Sequence, residues 1–131
     1  MTTFIESLTA AAVFAIGASV TATWVAQSSA LSTQAGVRLR ALTLAADMEA
    51  RLRANPVGVR AGDYHYANPA PAGCRVGCVP GQLAAADLAA FQAELAGALG
   101  PGAHGSVACE DHACVVHIRW PGGALDWGVG P

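Results

Sequence analysis

The sequence predicts an α+β protein: a long N-terminal helix whose first half is fit for a membrane, then a small head holding one extra short helix and a small antiparallel sheet. Three observations predict it. No charged residue occurs from Ser7 to Val37, a run of 31 positions. Helical periodicity then continues as far as Asn55-Pro56, two close cysteine pairs lie in the C-terminal half, and the last third alternates apolar and polar residues around the second pair.

The uncharged run comes first. A helix rises about 1.5 Å per residue and needs about 20 residues to cross the hydrocarbon of a bilayer, so the run is long enough. Its most apolar portion, Leu8 to Ala26, interleaves Ala, Val, Phe and Ile with small Thr, Ser and Gly, residue types that let another helix come close. A secretory signal peptide is the competing interpretation. Against it, no Arg or Lys precedes the run, and the run exceeds a normal signal core. Beyond it Val37, Leu39, Leu42, Leu44, Ala45, Met48 and Leu52 recur mostly at helical steps, with Arg38, Arg40, Asp47, Glu49, Arg51 and Arg53 on the polar side. One helix is therefore expected from about Thr3 to Ala54. Residues 4–30 would lie in a membrane or an assembly, and residues 31–54 would pack on the head. Proline disfavours helix in the residue before it, so Asn55-Pro56 ends the helix. Arg38 and Arg40 fall just past the span, and the positive-inside rule alone would put that end in the cytoplasm. A basic leader ahead of Met1 is expected to reverse this.

Composition narrows the function. The chain is 53% hydrophobic and 12% charged, against roughly 25% charged in soluble domains. The net charge is -2 with no lysine, so the arginines make no extended phosphate-binding patch and nucleic acid is not an expected partner. There is no GxSxG, P-loop, HExxH or apolar-set carboxylate pair, hence no catalysis, cofactor or small-molecule substrate is expected. Glu110-Asp111-His112, the nearest candidate, reads as the exposed tip of a hairpin. Glu6, at the start of the apolar run, is more telling, because a carboxylate beside hydrocarbon needs water or a cationic partner.

The remaining residues, 55–131, would form a small disulfide-stapled head. From Val57 to Pro80 the text is rich in Gly, Pro, Asn and Ala without a period, which predicts a loop. Tyr64, His65 and Tyr66 form an aromatic cluster there that could meet a partner, with coverage of the head's core as the simpler alternative. A second helix is expected from near Gln82 to Gly100, with Leu83, Leu88, Phe91, Leu95 and Leu99 on one face. Strands are expected at Gly105–Cys109 and Cys114–Trp120, joined by a turn over Glu110–Ala113. Val116, Ile118 and Trp120 would then face the long helix, with His117 outward in solvent. Pro121-Gly-Gly would stop the strand and leave the tail as a loop or short edge. Cys74, Cys78, Cys109 and Cys114 allow three disulfide pairings, of which the two local ones are favoured. The alternative is zinc, with His104, His112 and His117 near the second pair, but the cysteine spacings are looser than in zinc knuckles and no metal is expected. Nor is Cys74-x-x-x-Cys78 the two-spaced redox motif.

Thr3-Phe-Ile-Glu6 followed by an apolar helix resembles the N-terminus of type IV pilins, where a glutamate closes a similar motif. Ala46-Asp-Met-Glu-Ala-Arg-Leu-Arg-Ala-Asn-Pro56, Ala61-Gly-Asp-Tyr64, Ala86-Asp-Leu-Ala-Ala-Phe91, Pro101-Gly-Ala-His-Gly-Ser-Val107 and Val115-Val-His-Ile-Arg-Trp120 look like successive landmarks of PilV-type minor pilins. The resemblance implies the type IV pilin fold and a single-pass inner-membrane protein with its head in the periplasm. That protein would be drawn into an extracellular pilus at or near the tip, where it primes assembly. It implies other minor pilins, the major pilin and the inner-membrane assembly platform as partners. Thr3, Phe4, Ile5 and Glu6 would be the subunit-assembly residues, with Glu6 attracting the N-terminal amine of an adjoining subunit. Met1 stands where a pilin precursor has glycine, and its trimming would leave an amine four residues before Glu6. Two alternatives share these features: a pseudopilin of type II secretion, and an adhesive or partner-binding module at a pilus tip.

Overall fold

A computed structural model describes residues 2–65, 74, 76–110 and 113–130. Among them the elements, in chain order, are α1 (Thr2–Ala54), α2 (Pro56–Ala61), α3 (Pro80–Leu99), β1 (His104–Glu110), β2 (Ala113–Trp120) and β3 (Gly123–Val129). A long N-terminal helix, two further helices of 6 and 20 residues where one short helix was expected, and a small antiparallel sheet make an α+β layout of the pilin kind. Packing divides the chain into two units, Met1–Gly36 and Val37–Pro131. The division falls within α1, earlier than the helix end at residue 54, because residues 37–54 belong to the core of the second unit.

In the first unit the side chains from Thr3 to Gly36 are exposed, including Phe4, Phe14 and Trp24. In the second, Ala41, Ala45, Met48 and Leu52 lie on one face of α1 at steps of four and three residues, and all are buried. Of the apolar residues expected on that face, Leu39 is exposed and Leu44 only partly buried. Ala41 takes the inward position instead, where a small side chain allows close approach.

Asn55 and Pro56 end α1 as expected, but they also start α2. The Asn55 side chain accepts a hydrogen bond from the Gly58 N–H (3.2 Å), and proline occupies the first turn, where its missing N–H is not needed. Gly62 closes α2 with φ 77°, a left-handed conformation that glycine adopts freely. The expected loop from Val57 is therefore helical through Ala61; six residues containing Pro56 and Gly58 are too short to show a period. Similarly, α3 begins at Pro80, two residues before the expected Gln82, because Pro80 opens it and Gln82 Oε1 accepts from the Val79 N–H (3.4 Å). It buries Ala84, Ala85, Leu88, Phe91 and Leu95.

The sheet has the order β1-β2-β3 with both pairs antiparallel. Glu110 pairs with Ala113, so the first connection is narrower than the four-residue turn expected. The second connection is Pro121-Gly122, with Gly122 at φ 96° as the second central residue of a Pro-Gly turn requires. Of the two expectations for the tail, a loop or a short edge, the structure has the edge: a seven-residue strand, β3. Gly123, Gly128 and Asp126 lack strand propensity, and Pro121-Gly-Gly hid the turn inside an apparent stop. Register sets Val107, Val116 and Trp127 side by side, and likewise Cys109, Cys114 and Val129. This face closes over Met48, Leu52, Leu88, Phe91 and Leu95, the head's hydrophobic core. Burial of each large side chain contributes about 1.5–3 kcal/mol.

Candidate functional site

Thr3, Phe4, Ile5 and Glu6 sit in the first turns of α1 with exposed side chains, Phe4 at 73% and Ile5 at 67% exposure. Side-chain hydroxyls along the apolar run are turned back onto the helix. Ser7 donates to the Thr3 carbonyl (2.7 Å), Thr9 to that of Glu6 (2.9 Å), Ser19 to that of Ile16 (2.8 Å), Thr21 to that of Ala18 (3.0 Å) and Thr23 to that of Ser19 (2.7 Å). These bonds satisfy polar groups that hydrocarbon could not. By length and composition the helix is long and apolar enough to cross a membrane. Chemically the segment offers apolar surface on all sides and one carboxylate near its start.

The cysteines join locally, Cys74 to Cys78 and Cys109 to Cys114. Cys109 and Cys114 are directly opposed across β1 and β2 with Cα atoms 4.0 Å apart, the close spacing of a pair that exchanges no backbone hydrogen bonds. The disulfide clamps the hairpin beside its loop.

Of the expected aromatic cluster, Tyr64 and His65 are described, and they face different surroundings. Tyr64 is 1% exposed and belongs to the core, so it is not available to a partner. Its hydroxyl donates to Asp87 Oδ2 (2.7 Å) and accepts from Asn55 Nδ2 (3.2 Å), which also donates to the Pro80 carbonyl (2.9 Å). Burial, and then the hydrogen bond to Asp87, push the Tyr64 pKa well above its ordinary value, so the phenol stays neutral. His65 is exposed, with Nε2 set against the carbonyl (2.6 Å) and N–H (3.2 Å) of Cys109. The shorter contact fits an Nε2–H donor. Tyr66 lies outside the described residues, as do Asp111 and His112 of the hairpin tip.

The groups that hold the head together were not singled out by sequence reasoning. Asn55 ties the end of α1 to α2, Tyr64 and the start of α3. Arg51 bridges Asp47 (2.6 Å) and Glu94 (2.7 Å), linking α1 to α3; burial alone would lower its pKa, but the two carboxylates more than offset this and raise it. The Trp127 indole donates to Glu49 (2.7 Å), joining β3 to α1. Asn before Pro was a legible capping signal; the long-range pairs carried none. His117, expected in solvent, is half-buried and meets Asp126 of β3 at 2.7 Å. A cavity of about 250 Å³ opens between Leu52, Pro56 and Val59 on one side and Cys114 and Val129 on the other, with Arg53 and Arg60 at its rim.

Compared with known proteins, the chain matches no protein-family model, no curated protein and no solved structure.

Proposed function

We propose that this chain is a structural, non-catalytic minor pilin that enters a type IV pilus through the N-terminal half of α1 and helps prime assembly at or near the tip. Before assembly it would sit in the inner membrane with its head in the periplasm. Other minor pilins, the major pilin and the assembly platform would be its partners. The observation that supports this is the first unit of the chain: residues 3–36 are exposed and predominantly apolar, and Glu6 stands alone as their charge. A soluble helix buries one stripe and wets the other. This one is suited to apolar surroundings all round, first lipid and then neighbouring helices. Glu6 there acts as a register device, since an ion pair in low dielectric repays its desolvation only in good geometry.

The test is a deletion strain scored for surface pili and twitching, complemented with the native chain or with Glu6→Ala. Loss of piliation, restored by the native chain only, is expected. The Glu6→Ala protein should still fractionate with membranes yet be missing from sheared filaments. Normal piliation in the deletion strain rejects the priming role, and a secretion defect with normal pili would move the chain to a type II secretion pseudopilus.

A further inference from the structure

The sheet has two outer edges, and the fold treats them differently. In an antiparallel pair, residues alternate between those that exchange backbone hydrogen bonds with the strand opposite and those whose N–H and C=O point away from it. On β1 the outward residues are Gly105, Val107 and Cys109: both backbone groups of Gly105 and the carbonyl of Cys109 are bonded by side chains, and Val107 is buried. The Gln92 side chain accepts from the Gly105 N–H (3.2 Å) and donates to the Gly105 carbonyl, while His65 lies against both backbone groups of Cys109. Side chains from α3 and from the segment after α2 thus stand in for a neighbouring strand.

The same alternation carried across the sheet turns Cys114, Val116, Ile118 and Trp120 toward β3, opposite Val129, Trp127, Leu125 and Gly123. The backbone groups of Ala124, Asp126 and Gly128 are left pointing outward. All three residues are exposed, and among the described residues no hydrogen bond reaches those groups. Such a row of unpaired donors and acceptors is a template for another strand.

We infer that the β3 edge is a strand-addition site for an extended segment of a different polypeptide, one that sets an Arg or Lys opposite Asp126. Charge decides the occupant. The Asp126 side chain is 68% exposed, on the solvent face of the sheet beside His117. A second copy of this chain, paired in the antiparallel register that uses all three outward residues, would set Ala124 against Gly128 and Asp126 against Asp126. Like charges directly opposed destabilise a strand pair, and opposite charges stabilise it. The carboxylate that blocks self-pairing therefore favours a basic partner. The inference goes beyond the proposed pilin role and does not depend on where α1 resides.

The test uses the full chain, isotope-labelled in detergent micelles, and two synthetic peptides of alternating Thr and Val with a central Arg or a central Glu. The Arg peptide is expected to shift, and slow the exchange of, the backbone amides of Ala124, Asp126 and Gly128 while leaving Val107 unmoved. The Glu peptide should bind at least about threefold more weakly, and Asp126→Arg should invert the preference. Gly128→Pro should abolish binding without breaking the pairing to β2, because the N–H it removes faces outward. Amides unmoved at peptide concentrations on the order of millimolar overturn the inference. So do equal binding of the two peptides and concentration-dependent shifts of the same amides in the chain alone, which would mean self-pairing.

Discussion

Residues 2–36 and 37–54 are one continuous helix, yet they are made for different surroundings. In the first stretch, apolar side chains point in every direction and are exposed, and the side-chain hydroxyls between Ser7 and Thr23 bond back to the helix. In the second, apolar burial is confined to a stripe through Ala41, Ala45, Met48 and Leu52, and Arg51 and Glu49 reach out to α3 and β3. Helical geometry is common to both stretches, so what separates them is the direction of side-chain burial. A hydropathy average over the whole helix conceals this difference.

Truncation at matched positions should break the two stretches apart. Met48→Ala is expected to destabilise the head by about 2–5 kcal/mol, whereas Phe14→Ala should leave head unfolding within about 0.5 kcal/mol. Urea denaturation of the full chain in micelles, followed by the tryptophans of the sheet, measures both; equal losses would mean that residue 14 packs on the head. Opening the hairpin clamp with Cys109→Ser and Cys114→Ser together should cost about 2 kcal/mol, read as a lower urea midpoint under oxidising conditions. A β-carbon added at Gly105 would overlap the Phe91 ring and Leu95, so Gly105→Ala should cost about 1–3 kcal/mol. No comparable penalty is expected for Gly17→Ala in the first stretch, where a β-carbon meets open space.

The smallest effect concerns Tyr64. Its pKa is raised in the folded head, so the stabilisation is fully present below the unfolded value near pH 10 and is lost as pH rises above it. Tyr64→Phe should cost about 1 kcal/mol at neutral pH. It should also flatten the fall in stability between about pH 10 and 11.5. An unchanged alkaline slope in that variant would assign the slope to another group.

Most of the fold was legible because its signals are local or periodic. The uncharged run, the Asn55-Pro56 stop, the Leu88/Phe91/Leu95 face and the alternation from Cys114 to Trp120 each declare an element without reference to the rest. β3 and α2 were not legible. The first carries glycines and an aspartate that only a neighbouring strand makes tolerable, and the second is a single short turn held by Asn55. Of the candidate site, exposure of the Thr3–Glu6 segment follows from composition. The fate of Tyr64 does not, because whether an aromatic residue in a Gly- and Pro-rich segment covers a core or meets a partner depends on Asn55 and Asp87, nine residues before it and 23 after. Gln92 and His65 as edge plugs were equally hidden, since nothing in a lone Gln or His marks the strand it will cap.

The hydroxyls that fold back onto α1 have a kinetic consequence. Between Leu8 and Ala26 each of them carries its own acceptor with it. If that stretch leaves one oily environment for another, no hydroxyl has to be stripped of a partner on the way. The barrier to such a transfer would then be set by shape and by the single carboxylate at residue 6.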